Sequence, residues 1–220
     1  MRTLASAVAL VALGVAGTTA GRAAQTPAPG AVDLAARLQA HYSTVRNFTA
    51  GFTQTFEGGF TPQKSEFVGD VKIMKPDMMR WTYTKPEKNE WLADGTHIYM
   101  SEEASPKRVE RTLIPRGKDV STALLFLAGR GDLVRDFTPS LLPDGPAGEW
   151  RLKLMPKNPQ ADFTSLTLVV DPKSLRFLGF VTDENGRTNT IRFKNLRENV
   201  NLSAGDFKFV KRPGVEIIDR

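Results

Sequence analysis

The sequence predicts a mainly β fold with few helices, in which one long antiparallel sheet curls into a partly closed barrel. Three observations lead there. Phe48, Ala50, Phe52, Gln54 and Phe56 occupy alternate positions, so one face of a single strand carries three rings. Residues 69–100 read as an antiparallel meander, with Lys75-Pro76-Asp77 and Asp94-Gly95 interrupting strand-like runs; Asp-Gly favours a two-residue hairpin loop. Helical segments are too few to cover such a sheet as in an α/β protein, and the ring-bearing faces suggest a curved inner surface.

The chain opens with Met1-Arg2, an apolar run from Leu4 to Gly17 and then small residues, the order of a secretory signal peptide and too short to span a bilayer comfortably. Residues 1–23 are assigned to it, with cleavage after Ala23, although Ala20 also fits. Residues 24–31 read as a Pro-containing flexible tether and residues 32–220 as one domain, since about 197 residues remain after cleavage and suffice for one core. Without any cysteine the chain has neither disulfides nor an acylated N-terminal cysteine, so a soluble exported protein is expected.

Leu34, Leu38, Tyr42 and Val45 recur at helical spacing behind Asp33, which can cap or complement the amino end. The period then changes to two. Phe67, Gly69, Val71 and Ile73 continue the pattern of the first strand. Met79, Trp81 and Tyr83 share one strand face, with Met78, Arg80 and Thr82 opposite, and a further strand is expected around Arg108 to Leu113. Ser121 to Ala128 interrupts the β pattern as a helix closed by Gly129. Its Leu124, Leu125, Phe126 and Leu127 project around most of the helix, which must therefore be covered on several sides or face an apolar group that is not always present. Strands return with Trp150, Leu152 and Leu154, with Leu166, Leu168 and Val170, and on either side of the Asn185-Gly186 turn.

Without the first 23 residues the chain carries 28 basic and 24 acidic residues, an excess of only +4. Basic residues alternate with acids along most strands and do not interleave with the aromatic positions, which excludes a nucleic-acid groove and assigns the charge to a solvated outer face. His41 and His97 belong to no metal spacing, and neither a cysteine nucleophile nor a Gly-x-Ser-x-Gly elbow is present. Gly129-Arg130-Gly131 lacks the setting of a phosphate loop. No enzyme, metal or cofactor is therefore expected, and the absence of heptads or a symmetric contact patch makes a monomer the default.

Leu38-Gln39-Ala40-His41-Tyr42, Phe48 to Gln54, Lys75 to Tyr83, Asp94-Gly95-Thr96-His97-Ile98-Tyr99, Asp206-Phe207-Lys208-Phe209 and Pro213-Gly214-Val215 stand in this order behind a signal peptide. Together they resemble the periplasmic lipoprotein carrier family, LolA. The resemblance implies an unclosed antiparallel β-barrel under a helical lid that carries the acyl chains of lipoproteins through the periplasm toward the outer membrane. It implies acylated lipoproteins as cargo, the inner-membrane ABC transporter LolCDE as donor, and LolB or direct membrane delivery as the route of release.

A lipid cavity would then be lined by Phe48, Phe52, Met79, Trp81 and Tyr83, with Leu124, Leu125, Phe126 and Leu127 from the lid. The family pattern places an arginine where this chain has Lys75, as a latch from the barrel to the lid backbone. Lys75 keeps the charge but loses the planar fork. A related lipid-sensing or amphiphile-carrying domain that delivers no lipoprotein stays open as the alternative.

Overall fold

Strand alternation in the sequence becomes a single twelve-stranded sheet in the computed structural model, which describes residues 30–59, 64–114, 126–143, 145, 148–159 and 163–220. The expected signal peptide, nearly all of the tether, and Leu124 and Leu125 lie outside these residues. Helix α1 (Ala31–Thr44) leads into β1 (Asn47–Gly58), β2 (Ser65–Met74), β3 (Met78–Lys85), β4 (Glu90–Asp94), β5 (His97–Ser101) and β6 (Arg108–Leu113). Then come the single-turn helix α2 (Leu133–Asp136), β7 (Phe137–Leu142), β8 (Trp150–Pro156), β9 (Ser165–Val170), β10 (Phe177–Glu184), β11 (Arg187–Glu198) and the short β12 (Glu216–Asp219). The strand order is β12-β6-β5-β4-β3-β2-β1-β11-β10-β9-β8-β7, so two meanders join where β11 returns to β1, and β7 and β12 leave the sheet unclosed.

Local chemistry sets the turns. Asn185 and Gly186 both have positive φ, 57° and 87°, and form the two-residue loop between Glu184 and Arg187. Between β4 and β5 the loop residues are Gly95 and Thr96, one position later than expected. Asp94 ends its strand and its Oδ1 accepts the N–H groups of Thr96 and His97 at 2.8 and 2.7 Å, while Gly95 takes the positive φ of 96°.

Helix α1 buries Leu34, Ala35, Leu38 and Tyr42 against the sheet and packs beside α2, β7 and β8. It begins at Ala31 behind Gly30, and Asp33 lies inside its first turn, where it complements the amino end without capping it. Asp132 caps α2 by accepting from Val134 and Arg135 N–H, and Gln39 Oε1 accepts from Leu133 N–H at 3.0 Å, which ties the two helices together. The sheet rolls around this layer. Neighbouring strands lie about 4.8 Å apart, so β3 and β11, three steps apart, would be separated by about 14 Å on a flat sheet. The Trp81 and Phe193 rings they carry are nevertheless only 6.4 Å apart.

Two expectations about the outer face and the pairing need correction. The outer face of β3–β6 is not simply solvated: Met78, Leu92, Tyr99 and Val109 form a second small core with Phe207, Phe209 and Val215 from the C-terminal arm. Tyr99 and Phe209 stack with ring centroids 4.3 Å apart, and the Arg80 guanidinium donates to Lys208 O at 3.2 Å. The pairing is also not uniformly antiparallel, since β12 lies parallel to β6. Residues 199–215 carry the chain from the end of β11 across the outer face of β3–β6 to this edge.

The arm is pinned by Asp206, whose carboxylate accepts from Ser203 N–H at 3.0 Å and from Lys72 Nζ at 3.0 Å. The Ser203 N–H first, and then Lys72, lower its carboxyl pKa from 3.8 to about 2. A carboxyl lowered on folding stabilises while ionised, so this contribution is present above 3.8 and is lost as pH falls toward about 2. Over that window the Tyr99–Phe209 stack is expected to loosen in NMR spectra, with the step absent in Asp206→Asn.

Candidate functional site

The inner face is built rung by rung from β10, β11, β1, β2 and β3. Gln54 pairs with Ile191 on one side and Phe67 on the other, and Phe52 with Phe193 and Gly69, so alternate residues of all these strands point toward the helices. Gly69 leaves no room for a side chain: a Cβ there would lie 2.2 Å from Thr82 O and 2.9 Å from two carbons of the Phe52 ring. Phe52 fills that space and holds Trp81 and Tyr83 edge to face, with centroids 5.0 and 5.2 Å away.

Beyond this packed layer the face opens into a cleft of about 560 Å³, within the roughly 300–1,000 Å³ usual for ligand pockets. Its walls carry Phe56, Phe67, Trp81, Tyr83, Trp91, Leu127, Phe163, Phe180 and Ile191. Trp91 is 49% exposed and stands at the opening. A band of polar groups crosses the same surface: Tyr83 Oη donates to Gln54 Oε1 (2.9 Å), Gln54 Nε2 to Asn189 Oδ1 (3.0 Å), and Asn189 Nδ2 to Glu184 Oε1 (3.0 Å). Burial raises the Tyr83 hydroxyl pKa above its ordinary value, so the hydroxyl stays a donor.

A second hollow of about 730 Å³ lies beside the last turn of α1, lined by Arg46, Asn47, Lys75 and Asn201 together with Val45, Met74, Val200 and Leu202; Tyr42 supplies its one aromatic ring. Here Lys75 Nζ donates to Tyr42 O and sits 4.0 Å above the centroid of the Tyr42 ring, and burial lowers its pKa. The lysine stem crosses Gly129, where a Cβ would meet Lys75 Cδ at 2.3 Å. Gly129 follows Phe126 and Leu127, which are helical. Two further contacts hold this segment: the buried Tyr42 hydroxyl donates to Leu127 O at 2.8 Å, and Arg130 forms an ion pair with Asp77, which is 7% exposed, in the same turn as Lys75. Burial first, and then the Glu198 charge, raise the Tyr42 pKa and keep this donor protonated. Tyr42→Phe is expected to remove about 1 kcal/mol and to speed amide exchange in residues 126–131 up to about tenfold.

These positions sort the nine residues expected to touch lipid. Trp81, Tyr83 and Leu127 line the cleft. Phe48, Phe52 and Phe126 are instead closed core, with Phe126 against Tyr42 and Phe177 at 4.7 and 5.4 Å. Met79 is partly buried against that core, outside the cleft wall, and Leu124 and Leu125 lie outside the described residues. Lys75 bonds α1, and among the described residues it reaches the 126–129 segment by packing against Gly129. Among the described residues no three His, Cys, Asp or Glu side chains come together to hold a metal.

A family model described as "Outer membrane lipoprotein carrier protein LolA" matches residues 43–210. The chain belongs to the LolA family. It is 27% identical over 216 residues to an outer-membrane lipoprotein carrier protein of Bordetella avium (strain 197N), covering 97% of this chain and 95% of that one. It is 28% identical over 192 residues to that of Dechloromonas aromatica (strain RCB), covering 86% and 88%. Among solved structures, an uncharacterized conserved protein from Thermus thermophilus superposes with a TM-score of 0.53 at 15% identity over 86% of this chain and 98% of that one, a likeness of fold alone. The sequence reading of this LolA-family chain missed Phe56, Phe67, Trp91, Phe163 and Phe180 as cleft residues, and Arg130 as the partner of Asp77. For Phe56 and Phe67 the signal was present, since both continue inner-face alternations already recognised.

Proposed function

We propose that this protein is a periplasmic carrier that takes lipoproteins released from the inner membrane and delivers them toward the outer membrane, with their acyl chains in the cleft between Trp81, Trp91, Leu127 and Phe180. The observation that carries the reading is a ring-lined cleft on the inner face of an unclosed sheet, in a chain of the LolA family. Each exposed methylene costs about 0.8 kcal/mol, so several long chains crossing water unaided would meet a barrier of tens of kcal/mol. A protein cleft of the right polarity removes that barrier. Release requires that the chains not be held as firmly as core side chains, and the half-exposed Trp91 supplies such a loosely packed wall.

On this reading Trp81, Tyr83 and Leu127 touch the chains, Phe48, Phe52 and Phe126 hold the wall behind them, and Met79, Leu124 and Leu125 complete the path. Lys75, Tyr42 and the Asp77–Arg130 pair latch the 126–130 segment. LolCDE is the donor, LolB or the membrane itself the acceptor, and the carrier works as a monomer. No helix among the described residues is long and apolar enough to cross a membrane. Mass spectrometry of material copurified with the exported protein tests the function: acylated lipoprotein is expected. Free lipid alone would favour an amphiphile-binding domain without delivery, and a processed small metabolite would point to catalysis.

A further inference from the structure

Binding of alkyl chains does not account for the polar band that crosses the cleft. Hydrocarbon gains nothing from Tyr83, Gln54, Asn189, Glu184 and Thr182, and each costs desolvation in an otherwise apolar wall. Their hydrogen bonds have one consistent direction. An ionised carboxylate only accepts, so Asn189 must turn its NH2 to Glu184 and its oxygen to Gln54; Gln54 then turns its NH2 to Asn189 and its oxygen to the Tyr83 hydroxyl. Thr182 Oγ1 donates to the same Glu184 Oε1 at 3.1 Å. Among the described residues Glu184 Oε2 takes no hydrogen bond. The band thus ends in a carboxylate of the cleft wall that is held in place through one oxygen.

The surroundings of that carboxylate favour a cation. Among the described residues the charged side chains on the cleft wall are Glu184, Glu102 and Arg187, a net negative set, and the Arg187 guanidinium already lies 4.1 Å over the Phe56 ring. Tyr83, Trp91, Phe163 and Phe180 add ring faces, whose quadrupoles attract an ammonium and repel an anion.

Resting on the carrier reading above, we propose that Glu184 and its hydrogen-bonded band form a subsite for a primary ammonium carried next to acyl chains, and that the cleft disfavours acyl ligands whose polar end is an anion. Two molecules present that chemistry: a diacylglyceryl-modified cysteine with a free α-amino group, and an ethanolamine phospholipid. The exported chain and Glu184→Gln are titrated, by tryptophan fluorescence, with short-chain monomeric probes. These are a dihexanoylglyceryl-cysteinyl peptide, its N-acetylated form, dihexanoyl phosphatidylethanolamine and dihexanoyl phosphatidylglycerol. The unaltered protein is expected to bind the free-amine peptide about tenfold tighter than the N-acetylated one and to bind phosphatidylglycerol weakest. In Glu184→Gln the preference should fall to within about twofold, with the N-acetylated peptide unaffected. Glu184-dependent binding of phosphatidylethanolamine supports the subsite and adds phospholipid as a source; dependence confined to the peptide supports it with lipoprotein as the source. Equal affinity for the two peptides, or an unchanged ratio in Glu184→Gln, overturns the subsite and leaves the carrier reading standing. No binding of any acyl probe overturns the carrier reading itself.

Discussion

Phe52→Ala is expected to cost about 3–5 kcal/mol of folding stability, the range for emptying a fully buried phenylalanine site. Phe52 is 1% exposed, fills the space over Gly69 and supports both Trp81 and Tyr83, so its removal leaves a void under two cleft residues. The surroundings cannot collapse easily, because Gly69 carries no side chain and Thr82 O already closes one side. Urea denaturation followed by tryptophan fluorescence measures the loss. Trp91→Ala is the contrasting case: a half-exposed ring at the opening should change stability by no more than about 0.5 kcal/mol. A Phe52→Ala loss below about 1 kcal/mol would mean that Phe52 is no keystone of the packed layer.

Phe180→Glu is expected to lower the affinity for a diacyl lipopeptide by about 100-fold, since it removes a ring from the wall and sets a further carboxylate among the groups that would hold hydrocarbon. Phe180 is only partly buried, and its β10 backbone pairs with Leu168 and Ile191 whatever the side chain. The fold should therefore survive. Circular dichroism separates the two effects: a folded Phe180→Glu protein that binds the lipopeptide as well as the unaltered one would place the chains elsewhere.

What the sequence disclosed follows from which constraints are local. The period of two in β1, the helical spacing of Leu34, Leu38 and Tyr42, and the Asn185-Gly186 turn depend on residues within a few positions of one another, and all three are present in the structure. The C-terminal arm was hidden because its cover of β3–β6 is a contact across the chain. A local sign existed, however: Leu92 and Tyr99 are large apolar groups on the face opposite to Trp91, Ala93, Ile98 and Met100, so neither face of β4 and β5 reads as a polar one. The family-like segments marked the inner face correctly at Trp81 and Tyr83, yet strand parity alone cannot separate a ring that seals the core, such as Phe48, from one that borders a cleft, such as Phe180. That difference depends on how far the helices extend over the sheet. The polar band was half legible: Gln54 stood out among rings on its own strand, but its partner Asn189 is 135 residues away.

Whether acyl chains occupy the cleft between Trp81, Trp91, Leu127 and Phe180 is decided by paramagnetic relaxation from a diacyl lipopeptide with a nitroxide near the end of one chain, read on the NMR signals of the protein. Strong broadening is predicted for the Trp81 and Trp91 indole resonances and for Phe67 and Phe180, with the signals of Arg46, Lys75 and Asn201 unaffected. Broadening confined to the hollow around Arg46, Lys75 and Asn201, with sharp Trp81 and Trp91 signals, would contradict it.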